Sequence, residues 1–130
     1  MPTIFTRIIN SEIPCYKIAE TDQYLAFLDI RPQKKGHTLV IPKTEIDYIF
    51  DLEDTLLAGL MLFAKRVGRA VEKTIPCKRI GIAVIGLEVP HAHVHLIPID
   101  SISDLGFGAP LNFSPDDMKT LAENIAANFD

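Results

Sequence analysis

Three histidines stand at alternate positions in the run His91-Ala92-His93-Val94-His95-Leu96-Ile97, and the fourth, His37, lies well upstream. In an extended strand alternate side chains share a face, so the three imidazoles are expected on one side while Ala92, Val94 and Leu96 face the core. Neighbours in such a row lie roughly 6.5–7 Å apart, which lets different rings serve different atoms of one phosphate-sized ligand. Three chemistries are open to the row. The rings could be solvated or satisfied within the core; they could ligate a metal with help from a nearby carboxylate or cysteine; or one neutral imidazole could attack phosphorus while its neighbours donate hydrogen bonds. Clustered imidazoles oppose one another's protonation, which favours a neutral nucleophile near neutral pH.

The row must be carried by strands and braced by helices. Thr3 to Asn10 places Ile4, Phe5, Ile8 and Ile9 at helix-like spacing. Strands are expected over Tyr16–Glu20, Tyr24–Asp29 and His37–Ile41, the last rich in β-branched residues and stopped by Pro42. A long helix over about Leu52–Thr74 has one apolar stripe, Leu56, Leu60, Phe63, Val67 and Val71, with Asp51 as its expected N-cap. Two further strands are expected over Arg79–Ile85 and Pro90–Ile99. A final helix opens on Ser114-Pro115, an N-cap serine followed by proline at the first helical position. Consecutive strands with short turns favour an antiparallel meander, hence an α+β domain rather than a doubly wound one.

The 130 residues fit a single domain, residues 1–130, with 48% hydrophobic and 23% charged side chains. A net charge of −4 argues against gripping nucleic acid through its phosphates. No signal segment and no membrane-length apolar run is present, and Cys15 and Cys77 lack metal-site spacing, so a cytoplasmic chain with reduced thiols is expected.

The histidine run matches His-φ-His-φ-His-φ-φ and so resembles the signature of the histidine triad (HIT) superfamily, in its Hint-like branch. Ala26-Phe27-Leu28-Asp29-Ile30 leading to Gly36-His37-Thr38-Leu39-Val40-Ile41-Pro42-Lys43 is similar to the strands that line the family's nucleotide site, and Ile4-Phe5 with Ile8 to its N-terminal segment. The resemblance implies a five-stranded antiparallel sheet with one long and two shorter helices, joined to its mate across a homodimer. It implies cleavage of nucleoside monophosphate–X bonds, of phosphoramidate or dinucleotide type, with His93 as nucleophile. His95 would hydrogen-bond the phosphate or leaving group, and His91 and His37 would complete the polar network. Asp29 would hold the ribose hydroxyls, and Ile4, Phe5, Ile8, Phe27, Ile30 and Leu39 would enclose a purine base.

The chain departs from the family pattern before the triad. Many members carry a polar loop there, whereas this one has Ile82–Pro90, with Glu88 where a neutral phosphate contact is usual. A carboxylate beside a phosphate is repulsive, although the backbone amides near Glu88 and Val89 could still cradle an anion. This opens the alternative of a nucleotide-binding sensor or partner-binding module without turnover. Some bacterial members bind zinc through an N-terminal pair of cysteines; the matching positions are Thr3 and Thr6, and Glu45 replaces a further histidine. Threonine is a poor zinc ligand, so neither a metal nor any other cofactor is expected. The glycine-rich stretch Asp104–Pro110 reads as a loop, or as a flap over the partner's site. A homodimer is expected through the long helix, with Gly59 and Gly68 permitting close approach, and through the apolar edge Arg79–Ile85.

Overall fold

A computed structural model describes residues 2–130. The helices are α1 (Ile4–Ile9), α2 (Asp54–Thr74) and α3 (Pro115–Ala127), and the strands are β1 (Lys17–Glu20), β2 (Tyr24–Leu28), β3 (Thr38–Pro42), β4 (Arg79–Ala83) and β5 (Val94–Ile99). Short 3-10 turns lie at Ile49–Asp51 and Ile102–Leu105. All pairings are antiparallel, in the order β1-β2-β3-β5-β4. The first three strands form the expected meander. The chain then crosses through α2 to the far edge and returns, so that β5 is inserted between β3 and β4.

Strand alternation divides the sheet into two faces. Tyr24, Ala26, Leu28, Val40, Val94 and Leu96 point to one, where they join the buried stripe of α2 (Leu60, Phe63, Val67, Val71) and Met118, Leu121 and Ile125 of α3. Leu60, Val67 and Val71 are fully buried, each contributing about 1.5–3 kcal/mol through loss of water contact. Leu25, Phe27, Leu39 and Ile41 point to the other face, where Phe5 of α1 covers them. Thr3 caps α1 by accepting the Thr6 N–H, and Ser114 caps α3 in the same way from Asp117.

Several boundaries differ from the sequence reading. Asp51 does not cap α2: it belongs to the preceding 3-10 turn, and Glu53 holds the cap position without a side-chain hydrogen bond. Gly59 and Gly68 serve contacts within the chain. A methyl group at Gly59 would collide with the Tyr24 hydroxyl, which reaches past it to donate to the Leu56 carbonyl at 2.9 Å, and Gly68 faces Ile80 and Leu96. Strand β4 ends at Ala83, leaving Val84 and Ile85 beyond it. Strand β5 begins only at Val94, because the peptide N–H groups of His91 and Ala92 donate to Val89 and Ile46 in neighbouring loops, outside the ladder. His91 and His93 are therefore on irregular backbone, although Ala92 still enters the core with Val94 and Leu96.

Candidate active site

His37 follows Gly36, whose φ of +92° makes the turn into β3 one that a glycine adopts without strain. Leu39 pairs with His95 across the β3–β5 ladder, so His37 and His95 meet on the α1 face. All four histidines are buried, contrary to a solvated row. The rings of His93 and His95 are only 4.9 Å apart between centroids, and His93 precedes the strand.

The hydrogen bonds fix the tautomers. His37 Nδ1 accepts the Gln33 backbone N–H at 2.9 Å, so its proton sits on Nε2, which donates to His95 Nδ1 at 2.9 Å. His95 must then carry its own proton on Nε2. This relay starts from a peptide N–H, which cannot release a proton; it orients hydrogen-bond donors and does not conduct protons. His93 Nδ1 donates to the His91 carbonyl at 2.7 Å, leaving the Nε2 lone pair free. His91 Nε2 donates to the Pro42 carbonyl at 2.8 Å, and its Nδ1 accepts a hydrogen bond from the Thr3 hydroxyl at 3.0 Å. Both nitrogens of His91 are thus engaged within the fold, and its ring does not line the cavity.

Burial is the first cause of the histidine shifts, ahead of like-charge repulsion. Desolvation, then His95 and His93, pushes His37 down to about 3, and desolvation with His93 pushes His95 down to about 4. His91 is lowered by burial, against the raising effect of the Pro42 hydrogen bond and Glu45. Asp29, the first residue beyond β2, accepts the Arg31 N–H on Oδ1 at 2.9 Å and places Oδ2 3.5 Å from His37 Nε2. Burial raises its pKa, with the Arg31 N–H opposing.

A cavity of about 240 Å³ brings together Asp29, His37, His93, His95 and Glu88 with Arg31, Gln33 and Phe107. None of the residues expected to enclose the base, Ile4, Phe5, Ile8, Phe27, Ile30 and Leu39, lines this cavity, nor does Val89. Phe5, Phe27 and Leu39 form one buried cluster, with Ile8 and Val89 packed on it, and Phe5 meets the His93 ring edge-on at 5.1 Å. Ile4 and Ile30 are 46% and 70% exposed and belong to neither cluster. Gln33, which sets the His37 tautomer through its backbone, and Phe107, edge-on to His95 at 4.9 Å, escaped the sequence reading. The aromatic residue between Gly106 and Gly108 was the signal for the second. The loop that carries it lies against this chain's own histidines.

Thr3, Thr6, Glu45 and His91 do converge. Glu45 Oε1 accepts the Thr3 N–H at 2.8 Å and the Thr6 hydroxyl at 2.6 Å, while Thr3 bridges to His91. Two hydroxyls, one carboxylate and one imidazole, already bonded to one another, do not fit a structural zinc. Asp29, His37 and His95 also present donor atoms within 4.8 Å of one another, but His37 Nε2 and His95 Nδ1 already hydrogen-bond each other.

The family model for the HIT domain matches residues 10–102. The adenosine 5′-monophosphoramidase hnt1 of Schizosaccharomyces pombe is 38% identical over 131 residues, covering 98% of this chain and 98% of that protein. A Hit-like protein involved in cell-cycle regulation from Bartonella henselae superposes with a TM-score of 0.86 at 29% identity, covering 98% of this chain and 96% of that one. A Zn-bound histidine triad family protein from Mycobacterium smegmatis gives 0.80 at 28% identity, covering 96% and 91%.

Proposed function

This chain belongs to the HIT domain family, and on that premise we propose that it hydrolyses the bond between a purine nucleoside monophosphate and an amine through a nucleotidyl-His93 intermediate. The observation that carries the reading is the orientation of His93. The His91 carbonyl holds its Nδ1–H, so the Nε2 lone pair faces the cavity. Attack by Nε2 on the α-phosphorus forms an N–P bond as the bond to the leaving group breaks, and water then cleaves the intermediate. His95 Nε2–H, oriented by His37, stabilises charge on the phosphoryl oxygens. Asp29, on the cavity wall, is the acceptor for the ribose hydroxyls. The test is turnover of adenosine 5′-phosphoramidate beside a His93→Ala control. A loss of several orders of magnitude supports the assignment, and equal rates overturn it.

Glu88 on the cavity wall favours a second reading, in which nucleotide is bound without turnover. Calorimetry with AMP and GMP beside the turnover assay separates the two, since tight binding with no cleavage of any phosphoramidate would select the binder. No helix among the described residues is long and apolar enough to cross a membrane.

We also propose a homodimer paired through β4. This edge strand leaves Ile82 52% exposed, with Val84 and Ile85 also exposed just beyond. A groove of about 430 Å³ runs beside it between α2 and β4, while α3 packs on β1, β2 and α2 at the opposite edge of the sheet. Unpaired apolar edges invite association, and a two-fold mate satisfies both copies. Light scattering should give twice the 14.5 kDa chain mass, and Val84→Lys should weaken the assembly; a monomer throughout the dilution range would defeat this model.

A further inference from the structure

We propose that Glu88 is a charge filter that admits nucleotides with a single phosphate and rejects those carrying further phosphates; this rests on the reading above that a nucleotide occupies the cavity. Ile85, Gly86, Leu87 and Glu88 form one continuous stretch of the cavity wall, and they share the space with Asp29, Arg31, His37, His93 and His95. The neighbours of Glu88 fix its place there. Gly86 turns the chain at a φ of +77°. Val89 packs on the Phe5 cluster, and its carbonyl accepts the His91 N–H at 2.8 Å.

The charges of the cavity do not balance. Asp29 and Glu88 bring two carboxylates, and Arg31 is the single Lys or Arg among the lining residues. Lys34, close by in the chain, is committed to Asp104 at 2.9 Å. His37 and His95 add no compensating charge, because burial holds them neutral with values of about 3 and about 4. Burial raises the Asp29 carboxyl, the Arg31 N–H opposes, and the Glu88 charge raises it further. The two carboxylates therefore act on the same small space.

Each phosphate beyond the first brings about one more negative charge. In a space of about 240 Å³ that charge stays within a Debye length, ~8 Å, of the wall carboxylates, so salt screens it only in part. This holds wherever the base lies, because any group bonded near the α-phosphorus shares the cavity with Glu88. Glutamate and glutamine have nearly the same shape, so the effect of the charge is separable from packing.

The test is calorimetry in magnesium-free buffer with AMP and with α,β-methylene-ATP, whose α-phosphorus cannot shed its neighbours. Wild type, Glu88→Gln and Glu88→Asp are compared. The wild type should bind AMP at least about fivefold more tightly than the triphosphate analogue, the factor that one unit charge supplies at contact through water. Glu88→Gln should cut that preference by about fivefold, and Glu88→Asp, which keeps the charge, should retain most of it. Salt near 1 M, where the Debye length is about 3 Å, should shrink the wild-type preference. A preference equal in wild type and Glu88→Gln, or altered alike by Gln and Asp, would overturn the filter and leave the nucleotide reading intact. If AMP does not bind the wild type and adenosine 5′-phosphoramidate shows no His93-dependent turnover, the nucleotide reading itself fails, and the filter with it.

Discussion

On the side of the sheet facing α2 and α3, Ala26, Leu28, Val40, Val94 and Leu96 are buried against the apolar stripe of one long helix and the face of another. On the side facing α1, the same strands bury His37 and His95 beside Leu39 and Phe27. Burial is equally complete on both sides, but it is stabilised differently. The first side needs only volume and apolar area. The second needs every ring nitrogen placed, and among the described residues no buried side-chain nitrogen or oxygen lacks a partner. Substitutions on the first side should therefore cost stability, and those on the second chiefly chemistry.

The largest expected effect is on chemistry. On the proposed mechanism, His95→Ala removes the donor to the phosphoryl group and should lower kcat by about 10²–10³-fold, with a much smaller change in melting temperature. Leu60→Ala, in contrast, should cost about 2–5 kcal/mol of stability in urea unfolding, while kcat per folded molecule stays near wild type. A loss of turnover as large as that of His95→Ala would erase the distinction between the two faces.

The buried histidines also make stability depend on pH. His37 and His95 have folded values of about 3 and about 4, below the ordinary 6.5, so the unfolded chain binds more protons between those limits. Their contribution is fully present above about pH 6.5 and is lost as pH falls towards the folded values, by about 2 kcal/mol per pH unit between pH 6 and 5. Asp29, raised by burial, works in the opposite sense, at a pH nearer the carboxylate range. Urea midpoints across this window measure the slope; a flat profile would mean that the pair is not held neutral. Smallest is Thr3→Val, which removes both the α1 cap and the hydroxyl bonded to His91. It should cost about 1–2 kcal/mol and lower kcat only slightly, as His91 does not line the cavity.

Element order, strand count and the helix stripe were legible because each is written locally, as periodicity and as turn or cap residues such as Ser114-Pro115. The convergence of His37 on the triad came from the family resemblance. What stayed hidden depended on partners distant in sequence. Nothing near His91 marks it as saturated; its partners Thr3 and Pro42 lie 88 and 49 positions away. Strand periodicity placed His91 and His93 in β5, whereas loop acceptors at Val89 and Ile46 draw their backbone out of the ladder. Gly59 read as a surface for close approach by a partner, because the Tyr24 hydroxyl that occupies it comes from another strand.

The nucleotidyl-His93 intermediate is open to direct observation. The wild-type chain is mixed with adenosine 5′-phosphoramidate, quenched within the first turnover in alkaline denaturant, which preserves an N–P bond to histidine, and digested for mass spectrometry. An adenylyl group on the peptide containing His93, absent from His93→Ala, is the predicted result. Full-rate turnover with no adduct, or with the adduct on another residue, would contradict it.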